Sequence, residues 1–437
     1  MRWLAALTVA LTVFVTPVAQ AAEAGHYTGE LADGATWVAD VPGTWNGTII
    51  LYSHGFGPLQ PQDAPDAATA RQLLAEGYAL VGSSYSGPSW WALGSAVDDQ
   101  FGALAALESK IGTAKRTVAW GTSMGGLVSA REAEDSRIDG ALTTCGLVAG
   151  ALNLDNYQLD GEYALAHLLA PQQPVKLVRY GSQDEAAAAA ATLTTVTSGA
   201  QATPAGRARI ALAAARMNVP GWYTGDSPPR DYETQEAQQE QTLTEFVLGF
   251  VVTGRYQIEL AAGGNSAFNR GVDYRALLRG SSHVAQVRAL YQRAGLDLDA
   301  DLAKLTRDAD VTADPPAVAT LARTSMPTGR LRVPELDVHT VADQLVPLEQ
   351  ENWYAGLVTA AGRGPLLRQA YVRGTGHCAF QPAETIAALH ALEFRLDTGT
   401  WADRTTPERL NAAAGTGRYE RFATPRLTGG LGEPGRR

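Results

Sequence analysis

The sequence contains few of the residues from which metal sites are built. Among its 437 residues there are only two cysteines and seven histidines. Two cysteines cannot complete a zinc site by themselves, and the histidines do not follow the spacing of H-E-x-x-H or H-x-x-x-H motifs. We therefore expect neither a cofactor nor a metal ion.

Basic residues are also too few for a nucleic-acid-binding protein. There are 35 Lys and Arg against 45 Asp and Glu, and the formal net charge at pH 7 is −10. A surface that binds phosphates needs an excess of positive charge, so we expect no nucleic acid as a partner. The hydrophobic content of 45% indicates a globular chain, long enough for one large domain with an insertion or for two domains.

Long apolar runs are scarce, and the run at the N-terminus is short. It extends from Leu4 to Val15 and is followed by Pro17 and a small-x-small pattern that ends at Ala21. A membrane-spanning helix needs about 18 or more apolar residues. We interpret residues 1–21 as a signal peptide cleaved near Ala21, and we predict a secreted, extracellular protein without a stable membrane anchor. The two cysteines would then lie in an oxidising compartment, where a pair is more often bridged than free.

Strand and helix patterns alternate in residues 22–149 and again in residues 329–400. β-branched runs such as TIILYS and RTVAW are separated by helical patterns such as DDQFGALAALESKIG. This alternation predicts an α/β fold with a mostly parallel sheet and helices on both faces. The Asn46-Gly47 pair predicts a hairpin turn between the two runs that flank it.

Residues 150–328 interrupt the alternation. They are rich in Ala, Gln and Leu at helical period, as in RARIALAAARM, and the segment is too long to be a loop. Because strand patterns resume after it, we predict a mainly helical cap inserted into the sheet domain. Residues 401–437 show no sustained period, and we expect a C-terminal tail that lies over the surface.

Residues 117–126, TVAWGTSMGG, lead from an apolar strand directly into glycines that surround one serine. A Gly-x-Ser-x-Gly motif between a strand and a helix is typical of a nucleophile elbow, a sharp turn that presents the serine. The free N–H groups at the start of the following helix favour a developing negative charge. Ser123 is therefore the candidate nucleophile.

A serine hydroxyl needs a base that takes its proton and a carboxylate that orients this base. Downstream of Ser123, the strand pattern ELDVHTV leads to Asp343 and the strand pattern QAYVRG leads to His377. Open α/β sheets place their sites at the carboxyl ends of strands, which favours these two residues. We expect the competing acidic and histidine residues to serve packing or local hydrogen bonds instead: Asp337, His339, His390, His26, His167 and His283.

The intermediate of acyl transfer also needs hydrogen-bond donors for its oxyanion. The strand TIILYS leads into the segment HGFG at residues 54–57, where the glycines allow a close approach of the backbone. We assign the oxyanion hole to the backbone N–H groups of Phe56 and Met124. His54 is expected to fix the shape of its loop rather than to act as the base.

Three aromatic residues follow the strand pattern YALVGSSY. Tyr85, Trp90 and Trp91 lie just past the carboxyl end of that strand. They either form the wall of a substrate pocket or pack beneath the cap, and the sequence does not separate these alternatives.

Together these motifs resemble the α/β-hydrolase superfamily, specifically the secreted bacterial serine hydrolases of esterase and lipase type that carry a large cap. The resemblance spans the sheet domain and does not reach the cap. It implies an α/β-hydrolase fold and a Ser-His-Asp mechanism through an acyl-enzyme. The residues that carry it are the segments 54–57 and 121–125, Asp343, and the Gly376-His377 pair.

The cysteine directly after His377 adds a partial similarity to the tannase and feruloyl esterase group, in which a disulfide ties the histidine loop to the serine. This chain departs from that pattern, because Thr122 rather than a cysteine precedes the nucleophile. The similarity therefore implies a bridge between Cys378 and Cys145 as a brace for His377. The departure places tannase-like substrate choice in doubt.

From these residues we predict a serine hydrolase that cleaves a carboxylic ester of a small-molecule or oligomeric substrate. A serine peptidase, aminopeptidase or amidase is the first alternative, because the same histidine can protonate an amine leaving group. An acyltransferase and a non-catalytic binding protein on the same fold are further alternatives. The substrate itself depends on cap residues whose direction the sequence does not reveal.

Overall fold

The computed structural model of the protein describes residues 24–436. The predicted signal peptide, residues 1–21, lies outside the described residues. Among the helices of residues 24–436, none is long and apolar enough to cross a membrane.

A single nine-stranded sheet forms the centre of the protein, with the strand order β1-β2-β4-β3-β5-β6-β7-β8-β9. The strands β3 to β8 pair in parallel with one another, whereas β1, β2 and β9 pair antiparallel at the two sides. This confirms the α/β-hydrolase fold. The strands are β1 Gly25–Glu30, β2 Thr36–Val41, β3 Thr48–Ser53, β4 Ala79–Ser83, β5 Arg116–Thr122, β6 Gly140–Thr144, β7 Glu335–Ala342, β8 Leu367–Thr375 and β9 Tyr419–Glu420.

Helices connect and cover the strands, and those between β6 and β7 form a separate group. The connecting helices are α1 Ala67–Ala75, α2 Ala96–Ile111, α3 Met124–Glu132, α13 Glu349–Ala360, α14 Pro382–Thr398 and α15 Pro407–Ala414. Between β6 and β7 lie α4 Ala151–Leu169, α5 Gln183–Ala200, α6 Pro204–Met217, α7 Tyr232–Thr242, a π-helical turn Leu243–Val247, α8 Leu248–Ala262, α9 Tyr274–Gly280, α10 Val284–Ala294, α11 Leu298–Asp308 and α12 Pro315–Thr324. The expected helical character of this segment is confirmed.

The central strands are buried on both faces, as the continuous apolar runs of the sequence predict. Along β3, Ile49 and Leu51 pack in one core, and Ile50 and Tyr52 pack in the core on the opposite face. The helical segment between β6 and β7 has a third core of its own, and a fourth core around Met124 lies between the sheet and these helices. Within residues 24–436, four apolar cores therefore support the sheet and the helices that face its carboxyl edge.

Two expectations from the sequence are wrong. The strands β2 and β3 that flank Asn46-Gly47 do not form a hairpin, because β4 lies between them in the sheet. The C-terminal segment does not simply cover the surface, since Leu427 and Arg436 are buried and Arg436 forms an ion pair with Asp160 of α4. The side chains of this segment thus complete the packing of the helices.

Glycines allow α3 to approach the sheet closely. A Cβ atom at Gly125 would lie 1.9 Å from the carbonyl oxygen of Ser53, and one at Gly121 would lie 1.8 Å from the carbonyl oxygen of Gly125. Both are contacts with backbone, which cannot move aside as a flexible side chain can. The start of α3 is therefore held against β3 and β5 by residues that have no side chain.

We predict that Gly125→Ala destabilises the protein by about 1–3 kcal/mol or more, because the new methyl group overlaps the backbone of β3. Gly199→Ala is the matched control: it lies on α5 with no neighbour near its Cβ position, and alanine should stabilise that helix by up to about 1 kcal/mol. Urea unfolding followed by tryptophan fluorescence measures both. Equal effects of the two substitutions would contradict the close approach.

Candidate active site

Ser123 lies at the turn between β5 and α3. Its backbone has φ 60° and ψ −122°, a conformation that is strained for a residue with a side chain and is typical of a nucleophile elbow. The turn is held by two hydrogen bonds, from the N–H of Ser123 to the carbonyl oxygen of Thr144 and from the N–H of Leu147 to that of Ser123. The serine hydroxyl is thereby presented at the carboxyl edge of the sheet.

The structure brings together the three residues that the sequence assigns to the triad. The Ser123 hydroxyl oxygen lies 2.8 Å from Nε2 of His377, and Nδ1 of His377 lies 2.8 Å from Oδ2 of Asp343. With a proton on Nδ1, the imidazole donates to Asp343 and accepts the hydroxyl proton of Ser123. This is the geometry in which a histidine can act as a general base.

Asp343 is held in place from two sides. The backbone N–H groups of Leu345 and Val346 both donate to its Oδ1 over 2.9 Å. The imidazole of His339 lies behind it, with Nε2 at 3.8 Å from Oδ2. Both oxygens of the carboxylate thus have fixed partners, which leaves Oδ2 directed at His377.

His339 belongs to a buried hydrogen-bonded group behind the triad. Its Nε2 donates to the carbonyl oxygen of Val346 over 2.9 Å, and its Nδ1 lies 2.9 Å from Oε1 of Glu351. Burial opposes protonation of the ring, but the hydrogen bond and charge of Glu351 and the charge of Asp343 outweigh it and raise the pKa of His339. The raised pKa favours the imidazolium form of His339, whose positive charge lies beside the buried carboxyl groups of Glu351 and Asp343.

Two further carboxyl groups lie in the same region of β7. Burial raises the pKa of Glu335 to about 7. The pKa of Asp337 is raised well above its ordinary value by burial and by the negative charges of Glu351 and Glu335. The shift favours the neutral acid of Asp337, which reduces the number of adjacent buried negative charges.

The residues assigned to the oxyanion hole adjoin the serine. A Cβ atom at Gly55 would lie 3.3 Å from the Cβ atom of Ser123, so the loop that carries Phe56 approaches the nucleophile closely. Met124 is the first residue of α3. Within residues 24–436, the backbone N–H groups of Phe56 and Met124 have no hydrogen-bond acceptor, and both are free to bind an oxyanion.

His54 supports the oxyanion loop from below. Its Nδ1 lies 2.8 Å from the carbonyl oxygen of Gly55, and its ring stacks on Tyr85 with the ring centroids 4.2 Å apart. Burial lowers its pKa, so the ring is neutral at pH 7. These contacts agree with the expectation that His54 fixes the loop.

A disulfide links the end of β6, which is hydrogen-bonded to Ser123, to the histidine loop. Cys145 follows β6 and Cys378 follows His377, and their Cα atoms lie 5.3 Å apart. The N–H of Cys145 also donates to the carbonyl oxygen of Val338 in β7 over 2.8 Å. The structure therefore contains the bridge that the sequence similarity implies.

A small apolar cavity opens at Ser123, with a volume of about 40 Å³. The sheet and its loops contribute Phe56, Trp91, Leu147, Leu345 and Val346 to the wall. The helical segment contributes Leu154 and Gln158 of α4 and Phe250, Val251, Gly254 and Ile258 of α8.

The three aromatic residues singled out in the sequence occupy different positions. Trp91 lines the cavity. Trp90 is 42% exposed and packs its ring edge against Phe56. Tyr85 is buried behind the oxyanion loop, where its hydroxyl donates to the carbonyl oxygen of His54 over 3.0 Å. Trp91 therefore forms part of the pocket wall, whereas Tyr85 has a packing role.

Sequence reasoning missed the cavity residues of α4 and α8. The only available signal was the unusual density of polar residues in ALNLDNYQLDGEYALAHLL, a helix that is buried along almost its whole length. Such a helix must satisfy its polar groups inside the protein or present them to a ligand. The sequence alone does not distinguish these two cases.

Comparison with known proteins gives one relative of nearly full length. The o-phthalyl amidase of Xanthobacter agilis is 30% identical over 428 residues, which cover 90% of this chain and 92% of the amidase. No protein-family model matches the sequence.

Solved structures give more distant similarities. An esterase from Aspergillus oryzae has a TM-score of 0.43 at 13% identity and covers 84% of this chain and 78% of its own. The acylaminoacyl peptidase of Pyrococcus horikoshii has a TM-score of 0.37 at 12% identity and covers 86% of this chain. This chain spans only 42% of the length of that peptidase.

We predict that removing the disulfide weakens the protein as a whole, because the bridge closes a loop of 233 residues. The double substitution Cys145→Ala and Cys378→Ala should lower the free energy of unfolding by about 2–5 kcal/mol. Urea unfolding with and without dithiothreitol measures the effect. The reductant should weaken the wild type to the level of the variant and leave the variant unchanged; a wild type insensitive to reductant would contradict the prediction.

We predict that Asp337 makes stability fall with rising pH. Because its pKa is raised in the folded protein, the native state holds a proton that the unfolded state releases above about pH 4. The wild type should lose about 1.4 kcal/mol per pH unit from this group until its folded pKa is passed.

Asp337→Asn imitates the protonated carboxyl and should remove that loss. Urea unfolding at pH 5.5 and pH 8.5 compares the two proteins, with Asp310→Asn at an exposed position as the control. The control should retain the wild-type pH dependence. An Asp337→Asn protein with the same pH dependence as the wild type would show that Asp337 is ionised in the fold.

Proposed function

Because this chain belongs to the family of the o-phthalyl amidase of Xanthobacter agilis, we propose that it is a serine hydrolase that cleaves the amide bond of a small acyl substrate. The observation that carries the proposal is the continuous hydrogen-bonded set Ser123, His377 and Asp343 at the mouth of an apolar cavity. The sequence placed an ester first and an amide second. The name of the relative favours the reverse order.

In the first half of the reaction, the Ser123 oxygen attacks the carbonyl carbon while Nε2 of His377 takes the hydroxyl proton. The negative charge that develops on the carbonyl oxygen is bound by the N–H groups of Phe56 and Met124. The C–N bond then breaks, and the imidazolium returns its proton to the leaving nitrogen. An amine and an acyl ester of Ser123 result.

In the second half, water replaces the amine. His377 takes a proton from the water as its oxygen attacks the acyl ester, and the same two N–H groups bind the second oxyanion. The C–O bond to Ser123 breaks and the serine oxygen recovers a proton from His377. The products are a carboxylic acid and the free enzyme.

Asp343 contributes to both halves of the reaction through its hydrogen bond with His377. Its carboxylate accepts the Nδ1 proton over 2.8 Å and thereby keeps Nε2 directed at Ser123. It also stabilises the imidazolium that forms in each half. The disulfide restrains the loop that carries His377, and this brace is the feature that resembles the tannase and feruloyl esterase group.

The helical segment is proposed to act as a cap. Residues of α4 and α8 form about half of the cavity wall, so this segment decides which acyl groups reach Ser123. Export of the protein is part of the proposal as well. The N-terminal pattern of residues 1–21 and the disulfide, which persists in oxidising compartments, both support it.

We predict that Ser123→Ala lowers the turnover of p-nitroanilides and p-nitrophenyl esters of benzoic and short aliphatic acids by about 10⁴-fold or more. Ser136→Ala is the matched control and should have wild-type activity, because this serine is exposed and lies in the connection between α3 and β6. Release of p-nitroaniline or p-nitrophenol measures both. A Ser123→Ala protein that retains turnover would disprove the proposed nucleophile.

The same substrates separate the amide from the ester proposal, because each anilide has an ester with the same acyl group. We expect the wild type to cleave both. If only the esters are cleaved, the original ester prediction replaces the amidase proposal. Labelling by phenylmethylsulfonyl fluoride, located by peptide mass spectrometry, should modify Ser123 in the wild type and leave the variant unlabelled.

A further inference from the structure

A second histidine lies beside the carboxylate of the proposed triad. His339 is a residue of β7 and its side chain is completely buried. Its Nε2 lies 3.8 Å from Oδ2 of Asp343, the same oxygen that accepts the Nδ1 proton of His377. Two imidazole rings therefore lie beside one carboxylate oxygen, and His339 takes no part in the proton transfers proposed for Ser123.

His339 is tied to Asp343 through Val346, in the turn that follows β7. Nε2 of His339 donates to the carbonyl oxygen of Val346, and the N–H of Val346 donates to Oδ1 of Asp343, both over 2.9 Å. The N–H of Leu345 donates to the same carboxylate oxygen. Since the carbonyl and the N–H of Val346 belong to one short turn, a shift of the His339 ring would move the donors that orient Asp343.

Glu351 of α13 holds the other ring nitrogen. Its Oε1 lies 2.9 Å from Nδ1 of His339, and its Oε2 accepts from the side-chain amide of Gln369 over 2.6 Å. Hydrogen bonds at both oxygens favour the ionised form of a carboxyl group, and the carboxylate in turn favours a proton on Nδ1. Because Nε2 already donates to Val346, both ring nitrogens then carry protons and the ring is an imidazolium ion.

The surroundings of His339 are rich in acidic groups. Burial alone would lower the pKa of His339, but the hydrogen bond and charge of Glu351 and the charge of Asp343 outweigh it and raise that pKa. An imidazolium supplies positive charge to these acids. The ionisable side chains of the described residues that face this region are Glu335 and Asp337 of β7, Asp343 in the turn after it, Glu349 and Glu351 of α13, Tyr371 of β8 and Tyr157 of α4.

We infer that His339 is a positioning residue of the triad: as an imidazolium held by Glu351, it fixes the turn that orients Asp343 and partly neutralises that carboxylate. The fixed turn keeps Oδ2 directed at His377, which supports turnover. The positive charge weakens the attraction of Asp343 for a protonated His377. The catalytic ring therefore stays neutral, and able to accept the Ser123 proton, to a lower pH. The inference rests on the proposed function of Ser123 and His377.

The test separates the charge of His339 from its hydrogen bond. His339→Gln removes the charge and retains an N–H donor for the carbonyl oxygen of Val346, whereas His339→Leu removes both. His390→Gln is the matched control, because His390 is an exposed histidine whose Nε2 lies 2.8 Å from Oε2 of Glu76. We would measure kcat and KM with p-nitrophenyl benzoate and benzoyl p-nitroanilide between pH 5 and pH 9, and follow the folding of each variant by tryptophan fluorescence.

We expect the acid limb of kcat/KM, which reports the protonation of His377 in the free enzyme, to move up by about 0.5–1 pH unit in His339→Gln. This is less than the effect of about 1–3 units from a directly adjacent charge, because His339 acts across Asp343. On the high-pH plateau, kcat should fall by about tenfold or more in His339→Leu, with little change in KM, and by less in His339→Gln. His390→Gln should retain the wild-type profile.

A measurement on the unmodified enzyme keeps the inference testable if the buried substitutions prevent folding. In protein labelled with ¹⁵N-histidine, the chemical shifts of the ring nitrogens distinguish a doubly protonated ring from a neutral one. A spectrum at pH 7.5 is recorded about one unit above the ordinary pKa of histidine. We expect one imidazolium ring to persist there, which we assign to His339.

Two results would overturn the inference while the proposed function stands. One is a wild-type spectrum in which every histidine ring is neutral at pH 7.5. The other is a folded His339→Gln protein with the acid limb of the wild type, since a merely structural role changes turnover without moving that limb. If Ser123→Ala retains wild-type turnover, the proposed function fails, and the inference fails with it.

Discussion

The backbone conformation of Ser123 is the constraint on which the site depends. A positive φ at a residue with a side chain persists only where the surroundings enforce it. Here Gly121 and Gly125 allow β5 and α3 to meet at a distance that any Cβ atom would prevent. The same close approach places the serine hydroxyl beside His377 and the first N–H group of α3 beside the future oxyanion. Ser123 and Met124, the proposed nucleophile and one of the two proposed oxyanion donors, are thus positioned by one turn, and the remaining structure keeps that turn from relaxing.

Burial of charge is the second constraint, and it is met differently behind the triad and around the cavity. Behind Asp343, the raised pKa of His339 favours its cation and the raised pKa of Asp337 favours its neutral acid, so both shifts oppose an excess of buried negative charge. Arg255 of α8 and Arg436 of the C-terminal segment are each paired with a buried carboxylate of α4. A buried ion pair adds little to stability relative to apolar packing. Its effect here is to leave the helices that face Ser123 without a free charge at the cavity.

The three residues of the proposed triad could be selected from the sequence, whereas much of their surroundings could not. The elbow can be recognised locally, because Ser123 has glycines on both sides between a strand pattern and a helix pattern. Asp343 and His377 can be selected because each follows the end of a predicted strand. The hairpin at Asn46-Gly47 was predicted wrongly because a turn signal depends only on neighbouring residues. In the sheet, β4 lies between β2 and β3 although it follows both in the sequence, and it pairs with each of them. The cavity wall depends on how α4 and α8 pack against the sheet, and helical periodicity does not encode which buried face meets the nucleophile.

Chemistry and selectivity therefore have separate structural sources. The sheet and its loops supply the proposed triad, and backbone contacts at Gly121, Gly125 and Asp343 constrain it. The helical segment supplies about half of the cavity wall from side chains alone, which can change without disturbing the elbow or the hydrogen bonds of Asp343. A relative with the same triad can accordingly hydrolyse a different acyl group. The residues of α4 and α8 that line the cavity are then a better place to look for substrate differences than the triad itself.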